Sequence, residues 1–376
     1  ILQNHQTITD EYLEKYCKKT LPQSVYAFFS QGSYDENTLR DSIQAYQRYK
    51  LVPSGLPTQT CDLRTRIEFP KRGISLDLEL PFGFSPVGLM GAGHKDAELA
   101  TTKAAENFGA CAILSSHSSK SIEEIQQAAP GCIKMLQLYV YLSREVSEAL
   151  VQRAERAGFK AIVVTIDGQV RGIRYSTMRT PLGNEYQSGN FGSELLASVG
   201  LDVDKRRQGI GYEIKDPSLT WDDIKWLRSI TDLPIILKGV LRADDAIKAL
   251  DYDVDGIMVS THGGRQLDGT PAPIDALPEI VDAVKGRLVI FVDGGVRSGD
   301  DVLKSIAVGA DVVFFGRPML WGLVWKGQAG VETVLQTYKD GLSTAMMRNG
   351  LSRLSNITRA NVQRCNASNT ISSPRL

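Results

Sequence analysis

The feature that most restricts how this chain can fold is an alternation. Eight short apolar runs are separated by segments with helical periodicity, and glycine marks many of the junctions. The runs are Phe84–Met90, Cys111–Ser115, Met135–Val140, Ala161–Ile166, Pro234–Val240, Gly256–Ser260, Leu288–Val292 and Val312–Phe315. Apolar runs of this length read as strands buried on both faces, which is the pattern of a parallel sheet. The helical segments are Asp96–Phe108, Ser121–Ala128, Arg144–Ala157, Trp221–Ser229, Ala243–Leu250, Ile274–Val284 and Asp300–Val308, with a final helix after Pro318. Eight such units are the number that closes a (β/α)₈ TIM barrel, the expected α/β fold class. An open doubly wound sheet is the rival arrangement.

One domain is expected over residues 1–376: an amino-terminal segment to about residue 80, a barrel over 81–350 and a tail over 351–376. In the first segment, Glu11–Lys19, Pro22–Ser30 and Glu36–Tyr46 read as helices. Cys61–Phe69 and Ile74–Leu80 read as a hairpin turning at Lys71-Arg72-Gly73. These elements are expected beneath the barrel and beside its mouth. After the fourth run a long irregular stretch, Thr180–Pro217, reads as a lid or a mobile segment.

The charge balance, 43 Lys+Arg against 43 Asp+Glu, argues against a nucleic-acid partner. No apolar run approaches the ~18 residues of a membrane span. The five cysteines form no C-x-x-C pair and read as reduced thiols, and no metal site is expected. The terminal Ser373-Pro374-Arg375-Leu376 resembles a peroxisomal address, or is simply a frayed tail that ends in leucine.

Chemistry in a barrel of this kind sits at the carboxyl ends of its strands. The polar residues that end the runs are Ser115-Ser116-His117, Gln137-Leu138-Tyr139, Thr165-Ile166-Asp167, Lys238, Ser260-Thr261-His262-Gly263-Gly264-Arg265, Asp293-Gly294-Gly295-Val296-Arg297 and Gly316-Arg317. Gly294, Gly295 and Gly316 let backbone N–H groups approach a ligand, while Arg297 and Arg317 supply charge, so a phosphate-bearing ligand is expected there. Among the four histidines, His262 is the candidate general base, with Asp167 to orient it. Arg265 and Arg174 are candidates for holding a substrate carboxylate. Lys238 suits a cofactor that gains negative charge in turnover.

These residues reach a known pattern. Ser260-Thr-His-Gly-Gly-Arg-Gln-Leu-Asp268 resembles the signature of the FMN-dependent 2-hydroxy acid oxidases and dehydrogenases, the glycolate oxidase type. Leu233–Val240, Gln137–Tyr141, Asp293–Arg297 and Gly316–Pro318 extend the likeness, which runs from about Leu13 to about Ile357. The resemblance implies FMN in the barrel mouth. Pro86, Val87, Gly88, Ser115, Gln137, Thr165, Lys238 and Ser260 would line the flavin, and Asp293, Gly295, Arg297, Gly316 and Arg317 would hold its ribityl phosphate. It further implies that His262 takes the hydroxyl proton while the α-hydrogen leaves as hydride, with a carbanion route as the alternative. Asp167 would orient His262, Arg265 and Arg174 would bind the carboxylate, Tyr139 would contact the substrate hydroxyl, and Lys238 would stabilise reduced flavin.

Five positions depart from the family pattern. A Tyr-x-Tyr-Tyr motif reads Tyr26-Ala27-Phe28-Phe29, so Phe28 lacks a hydroxyl that would contact the carboxylate. Thr261 stands for an asparagine, Asp167-Gly168-Gln169 for Asp-Thr-Pro, His117 for another pocket aromatic, and Val87-Gly88 for a more polar pair. The expectation is intact core machinery with an altered pocket, suited to a larger or less usual acid than glycolate. Oxygen is the expected acceptor, giving hydrogen peroxide. The alternatives are the same half-reaction with another acceptor, in a dehydrogenase or monooxygenase, or an impaired flavin-binding protein. No haem domain is expected ahead of Leu13, and the family implies a homotetramer.

Overall fold

In the computed structural model, residues 8–53, 55–192 and 215–365 are described. Most of the supposed lid and the whole terminal Ser373–Leu376 lie outside them. The eight barrel strands, in chain order, are Phe82–Phe84, Cys111–Ser115, Ile133–Leu138, Ile162–Thr165, Ile235–Val240, Gly256–Val259, Val289–Asp293 and Val312–Phe315. Each pairs in parallel with its sequence neighbour, and the eighth returns to the first through Val313 opposite Phe82, so the sheet closes. Closure rules out the open sheet.

Side-chain alternation divides the core in two. Cys111 and Ile113 join Met135, Val163, Ile236, Met258, Phe291 and Phe314 in one buried cluster inside the barrel. Ala112 and Leu114, one residue out of phase, pack with the helices instead. The hairpin strands Thr65–Phe69 and Ile74–Leu78 send Ile67, Phe69, Leu76 and Leu78 into the inner cluster, sealing the amino-terminal end of the barrel. Gly73, at φ 62°, makes the turn. Next to it, Arg72 pairs with Asp253 and Asp255, which ties the plug to the barrel wall.

At the other end lie the helices Gln23–Ser30 and Asn37–Gln44. Their approach is close: a Cβ on Gly295 would meet the Ser42 carbonyl oxygen at 1.9 Å, and one on Gly264 would meet Leu39 backbone at 2.7 Å. Both glycines also hold positive φ, 85° and 70°, so they are required twice over. The long helix Arg317–Arg348 is broken at Lys326–Gly327.

Two strand assignments need correction. The first strand is Phe82–Phe84 rather than Phe84–Met90. Pro86 has no N–H to give a ladder, and Leu89 turns left-handed at φ 57°, so Ser85–Met90 is a loop. The third strand starts and ends earlier than expected, at Ile133–Leu138, because the Val140 carbonyl is taken by Asp216 N at 3.0 Å and by Gln169 Nε2 at 3.3 Å. A two-stranded antiparallel pair, Tyr49–Leu51 with Val362–Arg364, and a short helix, Tyr175–Arg179, carry no clear sequence signal. All five cysteines are unpaired thiols. Among the described residues no helix is long and apolar enough to cross a membrane.

Asp10, on the helix Asp10–Thr20, accepts from Tyr338 Oη at 2.7 Å and lies 3.9 Å from Arg297 Nε. Burial raises its carboxyl to about 6, against the opposing pull of Arg297 and Tyr338. An acid whose folded pKa is raised stabilises the fold while protonated. That contribution is complete below about pH 4 and is lost as pH rises through about 6. Asp10→Asn should therefore flatten the fall in stability between pH 5 and 7 by about 1–3 kcal/mol, measured by urea unfolding across that range.

Candidate active site

The carboxyl ends of the eight strands surround a cleft of about 340 Å³. Its wall includes Phe28, Pro86, Val87, Gly88, Ser115, His117, Gln137, Tyr139, Thr165, Lys238, His262, Arg265, Asp293, Gly295, Arg297, Gly316 and Arg317, all named from the sequence. Three other expected residues do not line it. Asp167 and Ser260 stand one layer back, and each touches a wall residue through a hydrogen bond. Arg174 is buried at the start of the short helix Tyr175–Arg179, while Arg171 from the same loop does reach the cleft.

His262 follows the sixth strand at φ 57°, an unusual backbone for a residue with a side chain. Two contacts fix it there: its N–H donates to Ser260 Oγ at 3.0 Å, and its ring Nδ1 lies 2.9 Å from Asp167 Oδ1. The carboxylate fixes the tautomer, with the proton on Nδ1, so the Nε2 lone pair faces the cleft. Tyr139 Oη lies 3.3 Å from that nitrogen, and the two rings stack at 6.4 Å. Burial, reinforced by the charges of Lys238 and Lys215, pulls the imidazole below its usual value against the attraction of Asp167. On Asp167, burial is outweighed by His262 and Lys238, and its carboxyl stays below the usual range. At neutral pH the pair is therefore a neutral imidazole backed by a carboxylate, a base ready to accept one proton.

Next to this pair, Lys238 Nζ donates to Ser260 Oγ at 2.8 Å and lies 3.6 Å from Asp293 Oδ2. Ser85 Oγ donates to the same carboxylate oxygen at 3.0 Å. The other oxygen, Asp293 Oδ1, is buried without a hydrogen-bond partner. A buried acceptor left open in a cleft wall is suited to a ligand donor such as a hydroxyl. Across the second and third strands, Gln137 is held in place: Nε2 donates to Thr165 Oγ1 at 2.9 Å, and Oε1 accepts from Ser115 Oγ at 3.2 Å.

The far end of the cleft is cationic. Arg317 donates to Phe29 O at 3.2 Å, Gly263 O at 3.0 Å and Gln31 O at 3.0 Å. Burial, with Arg297 nearby, lowers its pKa to about 10, which leaves it charged at neutral pH. Gly294 and Gly295, at φ 94° and 85°, line the cleft as well. Arg265 donates to Phe28 O at 2.8 Å and lies 5.5 Å over the Phe28 ring. His117 packs among Tyr139, Tyr141 and Phe191, with ring centroids 5.3–6.2 Å away, and its Nε2 lies 3.3 Å from Tyr141 Oη.

Sequence reasoning missed Ser85, Arg171 and Lys215. Ser85 was hidden inside a run read as strand. Lys215 follows a charged stretch of sequence and sits at no strand end, so nothing in its neighbourhood marked it.

The comparisons agree with this picture. The family described as FMN-dependent dehydrogenase matches residues 17–364. The chain is 42% identical to human 2-hydroxyacid oxidase 1 over 343 residues, covering 90% of this chain and 91% of that one. It is 38% identical to a peroxisomal (S)-2-hydroxyacid oxidase of Arabidopsis thaliana, covering 95% and 97%. Among solved structures, mandelate oxidase with benzoyl-formic acid superposes with a TM-score of 0.83 at 35% identity, covering 95% of this chain and 99% of that one. The chain belongs to the FMN-dependent dehydrogenase family, and FMN is its cofactor.

Proposed function

We propose that this protein is an FMN-dependent (S)-2-hydroxy acid oxidase whose base is His262, and that it hands its electrons to oxygen. The observation that carries the proposal is the Asp167–His262–Tyr139 line, with Nε2 facing the cleft. FMN, when bound, would supply the two-electron acceptor for the substrate's α-hydrogen and the means of passing those electrons to oxygen as hydrogen peroxide.

The wall fits that cofactor. Asp293 Oδ1 offers a buried acceptor to a ribityl hydroxyl. Arg297 and Arg317, with the Gly295 and Gly316 backbone, suit its phosphate. Pro86, Val87, Gly88, Ser115, Gln137, Thr165 and Lys238 would border its ring system, with Ser260 orienting Lys238.

Substrate would enter between Phe28, His117 and Tyr139. Arg265 would hold the carboxylate, its fork already aimed by the Phe28 and Gln31 carbonyls. His262 takes the hydroxyl proton at Nε2, and Asp167 stabilises the imidazolium that forms. Tyr139 Oη, already beside that nitrogen, positions the hydroxyl. We extend the proposal to a peroxisomal location and a homotetramer; the support for the first is the Arabidopsis relative's printed name.

Anaerobic addition of (S)-2-hydroxy acids should bleach the flavin bands, and readmitted air should return them with one peroxide per substrate. A flavin that no such acid bleaches overturns the proposal. His262→Gln should keep its flavin and slow bleaching by about 10²–10⁴-fold. In the wild type, kcat/KM should fall as pH drops through a midpoint below the usual histidine value, because only the neutral imidazole accepts the proton. Asp167→Asn should move that midpoint lower still. Phe28→Tyr should tighten a small monocarboxylic 2-hydroxy acid by about 1–2 kcal/mol, seen as a lower KM, by adding a hydroxyl near Arg265.

A further inference from the structure

One fully buried acid has no part in the scheme above. Glu98 stands in the first turn of the helix Ala97–Phe108. Side chains on a helix lean toward its amino end, which carries this one back to the loops at the barrel mouth. Its Oε1 accepts from Ser119 N at 2.9 Å and, more weakly, from Met90 N at 3.4 Å, while Oε2 accepts from Lys120 N at 3.1 Å. Met90 lies on the loop after the first strand, and Ser119 and Lys120 on the loop after the second. These strands are neighbours in the sheet, so one carboxylate ties two adjacent loops. Two further bonds cross the same gap: Leu89 N donates to His117 O at 3.0 Å, and Gly91 N to Ser119 Oγ at 2.8 Å.

Burying an ionisable group is costly unless its lone pairs are satisfied. Burial raises the Glu98 carboxyl to about 6 against the pull of these N–H groups, so at neutral pH it is mostly ionised and offers acceptors only. A glutamine of the same shape is no substitute. Its amide has one oxygen, so one side of the tie would set N–H against N–H. The gap itself is narrow: a Cβ on Gly88 would meet His117 Cβ at 3.2 Å, and one on Gly91 would meet Ser119 Oγ at 2.8 Å. A small shift of either loop therefore reshapes the cleft wall, which takes Pro86, Val87 and Gly88 from the first loop and Ser115 and His117 from the start of the second.

We propose that Glu98 is a positioning residue for the cofactor: it fixes the spacing of the two loops against which the flavin ring packs, and so slows the escape of flavin from the cleft. This rests on the placement of the ring beside Pro86, Val87, Gly88 and Ser115. Glu98 does not line the cleft, so its effect passes through the loops and not through contact with cofactor or substrate.

The test follows flavin release from diluted holoenzyme, read as the rise in free-flavin fluorescence, beside the urea unfolding midpoint. Glu98→Gln should speed release by about 10-fold, the worth of one hydrogen bond to a charged acceptor, and should alter the circular dichroism of the bound flavin. Asp311→Ala is the comparison. Asp311 Oδ2 accepts from Ile290 N at 2.7 Å at the amino end of the barrel, so its loss should lower the unfolding midpoint and leave release at the wild-type rate. Val87→Glu, which puts a charge on the wall that the ring would face, should speed release as well. Release from folded Glu98→Gln at the wild-type rate overturns the positioning role, and so does faster release in both Glu98→Gln and Asp311→Ala that merely follows lost stability. If Val87→Glu is silent too, the placement of the flavin falls with it; if Val87→Glu alone speeds release, that placement stands. Should Glu98→Gln fail to fold, Ser119→Ala, which cuts the Gly91 tie across the same gap, takes its place under the same two outcomes.

Discussion

Closure of the barrel is the constraint on which everything else rests. Once Val313 pairs with Phe82, no barrel strand has a free edge, and all eight parallel strands must leave the sheet at the same end. Residues far apart in sequence are then forced into one ring. Asp167 and His262 are 95 residues apart yet hydrogen-bonded, and Ser85 meets Asp293 across 208 residues. The site needs no special folding device beyond closure, because the strands' common polarity assembles it.

Closure also leaves the opposite end open, and the hairpin answers that need. Its four apolar side chains complete the inner cluster, while the Arg72 pairs with Asp253 and Asp255 hold it in register. The barrel interior is thus solid from the plug up to the level of Gln137 and Thr165, where polar side chains take over. Chemistry is confined to the rim because the layers below are packed with Met135, Val163, Phe291 and Phe314.

The fold was legible where physical periodicity is strong. The second and eighth strands and two helices fall on the residues that the pattern assigns. It failed where one residue overrides the pattern, as Pro86 does in the first run, and where pairing is wholly non-local, as between Tyr49–Leu51 and Val362–Arg364. In the site, residues that end strands were readable because barrel geometry gives them one address. Lys215 was not, since its address comes from a hydrogen bond between Asp216 and Val140, far apart in sequence. Arg174 was readable as an arginine of the site, but its burial off the cleft wall depends on helix-start geometry that no motif encodes.

The cationic end of the cleft is built partly from the amino-terminal helices. Arg317 grips the Phe29 and Gln31 carbonyls, and Arg297 faces Asp10. The same guanidinium groups that suit a phosphate therefore also dock the helices Asp10–Thr20 and Gln23–Ser30 onto the barrel. Cofactor loading and docking of that segment become one linked equilibrium: whatever fixes the arginines in place stabilises both. Protein stripped of flavin would open first at its amino terminus, and proteolytic nicking there would report cofactor occupancy without any assay of turnover.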